Sequence, residues 1–335
     1  MLRRAMRPGL LAVLGLLTAA LLGVGCCPQW APLAWLTTRF AVAHALAFGQ
    51  VSALALGGLA VLWGLLWWLL GRGSATGSRR SRWGAAGPLV VACASLLLFA
   101  AWLGPRAAAL PPVGEGGQLR VATWNAYNSF GPAAARALLL QGQADVVVLP
   151  EQDGDPQLLS DLVDVGLPST DFAVFTSPPT GTTISPTTII VRRPSYVPVP
   201  VAQTTFGTVH LRATDPALPD IIGLHTAPPL PGLMGRWRTD LALVQQLARA
   251  ERPTVLAGDF NASLLHGPLR ALPHTSALSA LPAWQRGTWP TSSPRWLRTG
   301  IDHVFVPPGW AVSAAQVIDI PGSDHAALIT TLSRR

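Results

Sequence analysis

An apolar run ends abruptly on polar residues in Thr254-Val-Leu-Ala-Gly-Asp-Phe-Asn-Ala-Ser263. The apolar residues predict a short buried strand, and Gly258 allows the backbone to turn where that strand ends. Asp259 and Asn261 follow two residues apart, so in an extended chain both side chains point the same way and can face one ligand. Taken alone, the segment is equally compatible with a strand that ends in an Asx-type turn.

Four further segments place polar residues at predicted strand ends. A polar residue in such a position is usually a turn former or a solvated cap, so no single case indicates a site. Five such ends in one domain, however, predict that the polar side chains meet on one rim. The four segments are Leu119-Arg-Val-Ala-Thr-Trp-Asn125, Ala144-Asp-Val-Val-Val-Leu-Pro-Glu151, Ile221-Ile-Gly-Leu-His225 and, before the last strand, Ser323-Asp-His325.

The charged residues divide the chain into two parts. Nine of the 24 basic residues, all of them arginine, precede Gln118, but only Glu115 of the 16 acidic residues does, so this part carries the whole net charge of +8. The remainder has 15 arginines and 15 acids. The pI of about 11.0 therefore reflects the N-terminal part and does not indicate nucleic-acid binding by the rest.

The N-terminal part has the composition of a membrane region. Leu10–Cys27, Val51–Leu70 and Gly87–Leu103 are apolar stretches without formal charge, and each approaches the roughly 17–25 residues that cross a bilayer. They predict three transmembrane helices within residues 1–105. A cleaved signal peptide is a competing interpretation of the first stretch, but no small-residue cleavage pattern precedes Cys26 and further spans follow.

Arginine placement predicts the orientation of these spans. Basic segments precede the first span and separate the second from the third, whereas the loop after the first span has only Arg39. Both basic segments belong on the cytoplasmic side by the positive-inside rule, so the C-terminal part leaves on the extracytoplasmic face. All three cysteines, Cys26, Cys27 and Cys93, precede that part, which excludes a cysteine nucleophile or a disulfide within it.

Residues 106–117 form a predicted linker, because they combine proline and glycine without a hydrophobic period. Residues 118–335 are enough for one sizeable core. Strand patterns there outnumber the helical patterns at Pro132–Gln141 and Arg236–Arg249, so we predict an α/β domain with two packed sheets. The predicted strands are Leu119–Trp124, Asp145–Leu149, Thr187–Arg192, Ile221–His225, Thr254–Ala257, Ile301–Val306 and Ala327–Leu332.

Residues 118–335 resemble the endonuclease/exonuclease/phosphatase superfamily, which includes deoxyribonuclease I, abasic-site endonucleases, inositol polyphosphate 5-phosphatases and neutral sphingomyelinases. The strongest matching elements are Gly258-Asp-Phe-Asn261 and Ser323-Asp-His325. The resemblance implies a four-layer α/β/β/α sandwich of the deoxyribonuclease I type. Its supporting elements are Ile301-Asp302, Thr123-Trp-Asn125, Glu151 and His225-Thr-Ala-Pro228.

The same resemblance implies a Mg²⁺ site, with Mn²⁺ as an alternative ion. Glu151 and the Asn125 amide are the implied ligands, and Asp324 is implied at the edge of the metal site. Hard oxygen ligands of this kind suit Mg²⁺, which keeps several waters and is held by few protein groups.

Catalytic roles also follow from the resemblance. Asp259 and Asn261 are implied to orient the attacking water and bind phosphate, while Asp302 is implied to hold the ring of His325. A carboxylate on one imidazole nitrogen sets the tautomer and raises the basicity of the ring. His225 matches the histidine that protonates the leaving oxygen in deoxyribonuclease-like members, although which histidine is acid and which is base stays open.

The sequence therefore predicts a Mg²⁺-dependent phosphoesterase in a bacterial cell membrane, with its catalytic domain outside the cytoplasm. The substrate is a phosphate diester or monoester, either in nucleic acid or in a lipid or inositol phosphate. Contact with the lipid bilayer is expected and no protein partner is predicted. The absence of a basic DNA-gripping loop does not favour a nuclease, but tethering to a membrane does not by itself specify a lipid, so both branches stay open. A non-catalytic binding module that retains the fold is the alternative function.

Overall fold

A computed structural model describes residues 27–71, 80–104, 118–192 and 195–335 of the chain. These residues belong to two compact units. The first unit consists of the described residues within Met1–Gly104 and Leu265–Arg270. The second consists of those within Pro105–Leu264 and Ala271–Arg335. The predicted linker, residues 106–117, and nearly all of the first predicted span, Leu10–Cys27, lie outside the described residues.

The first unit is helical. Ser95 donates a hydrogen bond of 2.6 Å to the Ala53 carbonyl and so joins the two longest helices. The short helix Gly267–Arg270 belongs to this unit, where the Gly267 N–H donates to the Thr37 hydroxyl at 3.0 Å. The other helices are α1 (Ala31–Thr37), α2 (Phe40–Ala47), α3 (Gly49–Gly71) and α4 (Arg80–Leu103).

Taken over the part of the chain that is described, no single helix is both long and apolar enough to cross a membrane. α2 and the Gly49–Leu62 part of α3 meet that requirement only together, and they are bent by 97° at the break between them. Within α4, the apolar helical stretch Gly87–Leu103 is shorter than this requirement. The prediction of three transmembrane helices is therefore not supported by the described residues.

One mixed sheet of the second unit has six strands. These are β1 (Gln118–Thr123), β2 (Val146–Leu149), β3 (Phe172–Thr176), β4 (Thr188–Arg192), β11 (Trp310–Asp319) and β12 (Ala326–Arg334). Their order is β11-β12-β1-β2-β4-β3, with β1 parallel to β2 and antiparallel to β12. The carboxyl ends of β1 and β2 consequently lie at the same edge.

The other mixed sheet also has six strands. These are β5 (Tyr196–Val199), β6 (Thr208–Ala213), β7 (Asp220–His225), β8 (Thr254–Asp259), β9 (Thr275–Ser276) and β10 (Asp302–Val306). Their order is β5-β6-β7-β8-β10-β9. β7 and β8 are parallel, so they too end at one edge, and antiparallel β10 begins beside the end of β8.

Apolar residues from both sheets form the main core. Val146 and Val148 of β2 belong to one buried cluster with Val255 and Ala257 of β8. Gly223 of β7 shows how closely the sheets approach, because a Cβ there would lie 2.8 Å from Ile189 of β4. Two mixed sheets packed in this way, with helices, confirm the predicted α/β class and are consistent with an α/β sandwich.

Helices of the second unit add a further core. The turn α5 (Pro132–Ala135) continues as a π-helix over Arg136–Gln141, and α6 spans Gln157–Asp164. Both contribute buried leucines that pack with Val147 and Ile190 of the first sheet. α7 spans Met234–Leu247, and short 3₁₀ helices occupy Ser169–Asp171, Ala277–Ala280, Ala283–Gln285 and Arg295–Leu297.

The predicted elements are present, but others were missed. All seven predicted strands occur, with boundaries shifted by no more than about two residues. The predicted helical stretch Pro132–Gln141 is also present, with its second part, Arg136–Gln141, as a π-helix. β3, β5, β6, β9, β11 and α6 were not predicted from the sequence; β11, for example, contains three alanines, which are uncommon in strands.

Gly258 offers a test of the backbone geometry that ends β8. Its φ of +142° is rarely adopted by residues with a side chain, and a Cβ would collide with the Leu224 carbonyl of β7. We expect Gly258→Ala to lower the free energy of unfolding by about 3 kcal/mol or more, measured by denaturant unfolding of the full-length protein. Gly131→Ala is the control, because its nearest neighbour would be 3.9 Å away; equal stability of the two variants would contradict the expectation.

Candidate active site

Eight polar residues of the two sheets meet at one edge of the second unit. The parallel strands β1, β2, β7 and β8 end there, and the antiparallel strands β10 and β12 begin there. Asp259 lies directly beside His225 of β7 on one side and Asp302 of β10 on the other. The eight residues are Asn125, Glu151, His225, Asp259, Asn261, Asp302, Asp324 and His325.

The buried carboxylate of Asp259 is at the centre of this group. Its Oδ2 accepts a hydrogen bond from Asn125 Nδ2 at 3.1 Å and lies 3.5 Å from His225 Nε2 and 3.9 Å from His325 Nε2. Its Oδ1 accepts the Asn261 N–H at 2.8 Å, as in an Asx turn. Burial, followed by the nearby Asp302 charge, raises the pKa of Asp259 to about 7.

His325 and Asp302 form a buried pair. His325 Nδ1 lies 2.9 Å from Asp302 Oδ2, which leaves Nε2 directed towards Asp259. Burial by itself lowers the pKa of His325, but the charge and hydrogen bond of Asp302, helped by Asp259 and Asp324, raise it to about 9. The ring is therefore held in one orientation with its charged form favoured.

His225 lies on the other side of Asp259. Burial, together with the positive charge of His325, lowers the pKa of His225 to about 3. Its ring packs on Phe206 with a centroid separation of 4.8 Å, and its Nε2 lies 3.3 Å from Asn261 Nδ2. Nδ1 is buried without a hydrogen-bond partner among the described residues. The two histidines thus differ in charge because their surroundings differ.

Glu151 lies beside Asn125 and His225. Its Oε1 accepts a hydrogen bond of 2.9 Å from Asn125 Nδ2 and lies 3.9 Å from His225 Nε2. Its backbone adopts a φ of +54°, which is uncommon for glutamate. Residues held in this region must be supported by their surroundings, and they often occur at functional sites.

Asn128 and Gln152, which were not predicted from the sequence, provide that support. The Asn128 N–H donates to the Glu151 carbonyl at 2.6 Å, and the Gln152 amide donates to Asn128 Oδ1 at 3.1 Å. Gln152 Oε1 accepts the Phe130 N–H at 3.1 Å. Asn128 itself has a φ of +54°, which asparagine tolerates better than most residues. Neither residue belongs to a recognisable sequence motif, so their supporting role is visible only from the hydrogen bonds that join the two loops.

Asp324 makes different contacts from the other predicted metal ligands. Its Oδ2 accepts the Trp289 indole N–H at 2.8 Å, and its Oδ1 lies 3.9 Å from His325 Nε2. Over the described part of the chain it makes no polar contact with Glu151 or Asn125. Its metal role stays a prediction, and Trp289 is identified instead as a residue on the rim of the site.

The donor set suits a hard divalent cation. Ligand atoms of Asp259, Asp302 and His325 lie within 4.8 Å of one another, and Asp302 Oδ1 is buried without a partner among the described residues. The His325–Asp302 hydrogen bond already occupies two of those groups, however. Glu151, which is partly exposed and whose Oε2 accepts no hydrogen bond from the residues that the structure describes, is therefore the better ligand.

The other histidines of the second unit lie outside this group. His303 is buried between Ser276 and the Ala262 carbonyl, at 3.1 and 2.9 Å, and burial lowers its pKa to about 4. Its side chain therefore points away from that of Asp302, as expected of successive residues in a strand. His274 Nε2 lies 2.9 Å from the Thr254 carbonyl, and His210 lies beside Asp220.

Comparison with known proteins agrees with this geometry. A family model described as the endonuclease/exonuclease/phosphatase family matches residues 122–325, while no curated protein matches the chain. The chain is similar in structure to humanized D. rerio TDP2, at 17% identity over 64% of this chain and 99% of that chain, with a TM-score of 0.51. This likeness shows the fold.

Two further solved structures are similar at lower TM-scores. One is an endonuclease/exonuclease/phosphatase from Beutenbergia cavernae, with 22% identity over 65% of this chain and 72% of that chain and a TM-score of 0.47. The other is a mannosyl-6-phosphatase from Bacteroides thetaiotaomicron, with 18% identity over 64% of this chain and 99% of that chain and a TM-score of 0.47.

Asp302→Asn tests the electrostatics of the pair. Without the Asp302 carboxylate, burial is opposed only by the smaller effects of Asp259 and Asp324, so we expect the pKa of His325 to fall clearly below about 9. The His325–Asp302 pair stabilises the fold fully below pH 6.5, and this stabilisation is lost as the pH rises through 9. The difference in the free energy of unfolding between parent and variant should therefore shrink from pH 6.5 to pH 9. NMR titration of the metal-free protein measures the pKa, with His274, whose pKa is lowered by burial away from Asp302, as internal control; an unchanged His325 titration would contradict the assignment.

Proposed function

Because the chain belongs to the endonuclease/exonuclease/phosphatase family, whose members are generally hydrolases of phosphate esters, we propose that it hydrolyses a phosphate ester with the help of Mg²⁺. One observation carries the proposal: a buried carboxylate, Asp259, lies between two imidazoles, one of which is held by a second buried carboxylate. A site with this composition can position water, bind a phosphoryl oxygen and handle a proton.

The metal would be held by Glu151, with Asn125 beside it. When bound, Mg²⁺ supplies positive charge that offsets the negative charge on the phosphoryl oxygens. Asn125 links this position to the catalytic carboxylate, since its amide donates to both Glu151 and Asp259. Asp324 lies at the rim, where it contacts His325 and Trp289. Its role at the ion is therefore proposed to be electrostatic, through the charge of its carboxylate.

The remaining residues act on water and phosphate. Asp259, with one oxygen facing both imidazoles, accepts a hydrogen bond from the attacking water and so orients it. His325, held by Asp302 through Nδ1, directs Nε2 to the phosphoryl oxygen. Asn261 is oriented by its 2.9 Å hydrogen bond to the Thr226 carbonyl and binds the phosphate beside His225, which faces the leaving oxygen.

A non-catalytic binding module is the second candidate function, because family folds can lose activity. Such a loss of activity usually removes Glu151, Asp259 or His325 first, and all three are present, together with the His325–Asp302 hydrogen bond. Their presence favours the enzyme. A nuclease branch and a lipid or inositol phosphate branch are both compatible with the centre, since the centre contacts only the phosphoryl group.

Membrane anchoring is a further part of the proposal. The basic and apolar N-terminal part supports it through its composition and arginine placement. In that arrangement the protein is a multi-pass component of a bacterial cell membrane, and the second unit faces the extracytoplasmic side. The bilayer would then hold the active site near lipid headgroups.

Removal of a catalytic group tests the enzymatic function. We expect Asp259→Asn and His325→Ala in the full-length protein each to lower the rate by about 10²–10⁴-fold, because each removes a group that contacts water or phosphate. The measurement is Mg²⁺-dependent hydrolysis of a chromogenic phosphodiester, plasmid DNA, sphingomyelin and phosphoinositides, with and without chelator. Asp164→Asn, an exposed acid at the end of α6, is the control.

The outcomes separate the two functions. Metal-dependent turnover that both variants lose establishes hydrolysis, and the preferred substrate selects the branch. Binding of Mg²⁺ and phosphate by the folded protein, with no turnover of any substrate, would favour the binding module.

The orientation is testable because no cysteine follows Cys93. With the three native cysteines replaced by serine, Asp164→Cys introduces one thiol on the surface of the second unit. We expect a membrane-impermeant maleimide to label it in intact spheroplasts, whereas Ser81→Cys in the predicted cytoplasmic loop should react only after permeabilisation. The reverse pattern would overturn the proposed topology.

A further inference from the structure

A cleft of about 680 Å³ lies beside the strand end that carries His225. Its walls come from the loop after β3, the segment before β6 and the first half of α7, represented by Pro178, Thr205 and Arg236. A volume of this size is typical of sites for small molecules. Nothing in the proposed mechanism uses this cleft.

The floor of the cleft is the buried carboxylate of Asp240. Both of its oxygens accept the Thr205 N–H, at 3.2 Å each, and Oδ2 also accepts the Ala227 N–H at 2.8 Å. Burial raises the pKa of Asp240, while these N–H groups and the Arg236 charge oppose the rise. The Asp240 carboxylate thus connects the segments that line the cleft through these hydrogen bonds and is not free to bind a cationic ligand.

Arg236 is the group in the cleft that remains open to a ligand. Its side chain is exposed and, within the described ranges, makes no hydrogen bond or ion pair with another residue. Thr205 and Thr239 add hydroxyl groups to the same walls, and Pro178 adds an apolar ring. A guanidinium with five N–H donors is well suited to phosphate oxygens, and the hydroxyls suit a polyol.

The cleft is within reach of the catalytic centre. The Ala227 N–H donates a hydrogen bond to Asp240 at the floor of the cleft. Ala227 follows His225 by two residues, and two extended residues span about 7 Å. Phe206, next to Thr205, packs on the His225 ring. A compact molecule with its reacting phosphate near His225 can therefore extend a second group into the cleft.

The charge pattern selects among phosphate-rich ligands. A polynucleotide is bound through several phosphate contacts, but the described lining of the cleft includes Arg236 as its one cationic side chain and the 118–335 region has no excess of basic residues. One cation beside hydroxyl groups matches one additional phosphate on a small polyol.

We propose that this cleft is a substrate subsite in which Arg236 binds a second phosphate, so that the preferred substrate is a compact sugar or polyol carrying two phosphates. This inference rests on the proposed hydrolase function, because it assigns the substrate of the same active site. Arg236 acts here in binding and specificity, and not in the reaction at the scissile phosphate.

Calorimetric binding of a matched pair of probes tests the proposal. Fructose 1,6-bisphosphate and fructose 6-phosphate differ by one phosphate, and they would be titrated into the full-length protein in Mg²⁺. We expect the bisphosphate to bind about tenfold more tightly, as one charge-assisted contact implies, and Arg236→Gln to remove that preference. Arg249→Gln, which deletes an exposed charge elsewhere on the surface, should keep it.

A second variant blocks the cleft instead of changing its charge. Gly235 lines the cleft, and a Cβ there meets nothing within 4 Å, so Gly235→Leu fills open space without a clash. It should reduce bisphosphate binding to the level of the monophosphate, while the control Arg249→Gln should change neither bisphosphate binding nor the hydrolysis of bis(p-nitrophenyl) phosphate.

Each outcome decides between the proposal and its rivals. Equal binding of the two sugars by the parent, or an unchanged preference in Arg236→Gln and Gly235→Leu, would overturn the subsite. If a ten-residue oligothymidylate loses as much affinity as the bisphosphate in Arg236→Gln, the cleft is a nucleic-acid contact instead. Failure of the parent to hydrolyse the chromogenic diester, with sugar discrimination intact, would reject the hydrolase function separately.

Discussion

The buried carboxylate of Asp259 is the constraint on which the second unit depends. A carboxylate removed from water must be hydrogen-bonded or paired, because its charged form is otherwise strongly disfavoured. Asp259 meets this requirement through groups from both sheets, with Asn125 from the first sheet and Asn261 and the His225 strand from the second. The two sheets must therefore end at the same level, and the other polar residues are brought to that edge with it.

The electrostatics of the edge follow from that arrangement. Three acids, Glu151, Asp259 and Asp302, lie close to two histidines, and only His325 has a pKa raised into the range in which it is charged at neutral pH. Negative charge thus exceeds positive charge in a largely buried space. A divalent cation reduces this imbalance, and the partly exposed Glu151 offers it a way in from solvent.

Most of the polar edge was predictable because its residues lie at the ends of predicted strands. Glu151, His225 and Asp259 follow apolar runs, and parallel strands bring their carboxyl ends together. The Asn128–Gln152 support and the Asp324–Trp289 contact were not predictable, since they join loops that are distant in sequence and carry no periodic signal. The cleft at Arg236 was missed for the same reason, because its walls come from three separate segments.

The sequence by itself determined the α/β class, most of the strands and the residue types of the site, because hydrophobic periodicity and motif spacing are local properties. It also predicted spans from apolar length, a prediction that the described helices do not support. The apolar run Phe40–Leu62, for example, is bent by 97° at the break between its two helices, which composition does not reveal. Only the tertiary structure decided which histidine is charged. His225 and His325 have the same side chain and the same ordinary pKa, and they differ because Asp302 lies 2.9 Å from one ring and burial dominates around the other.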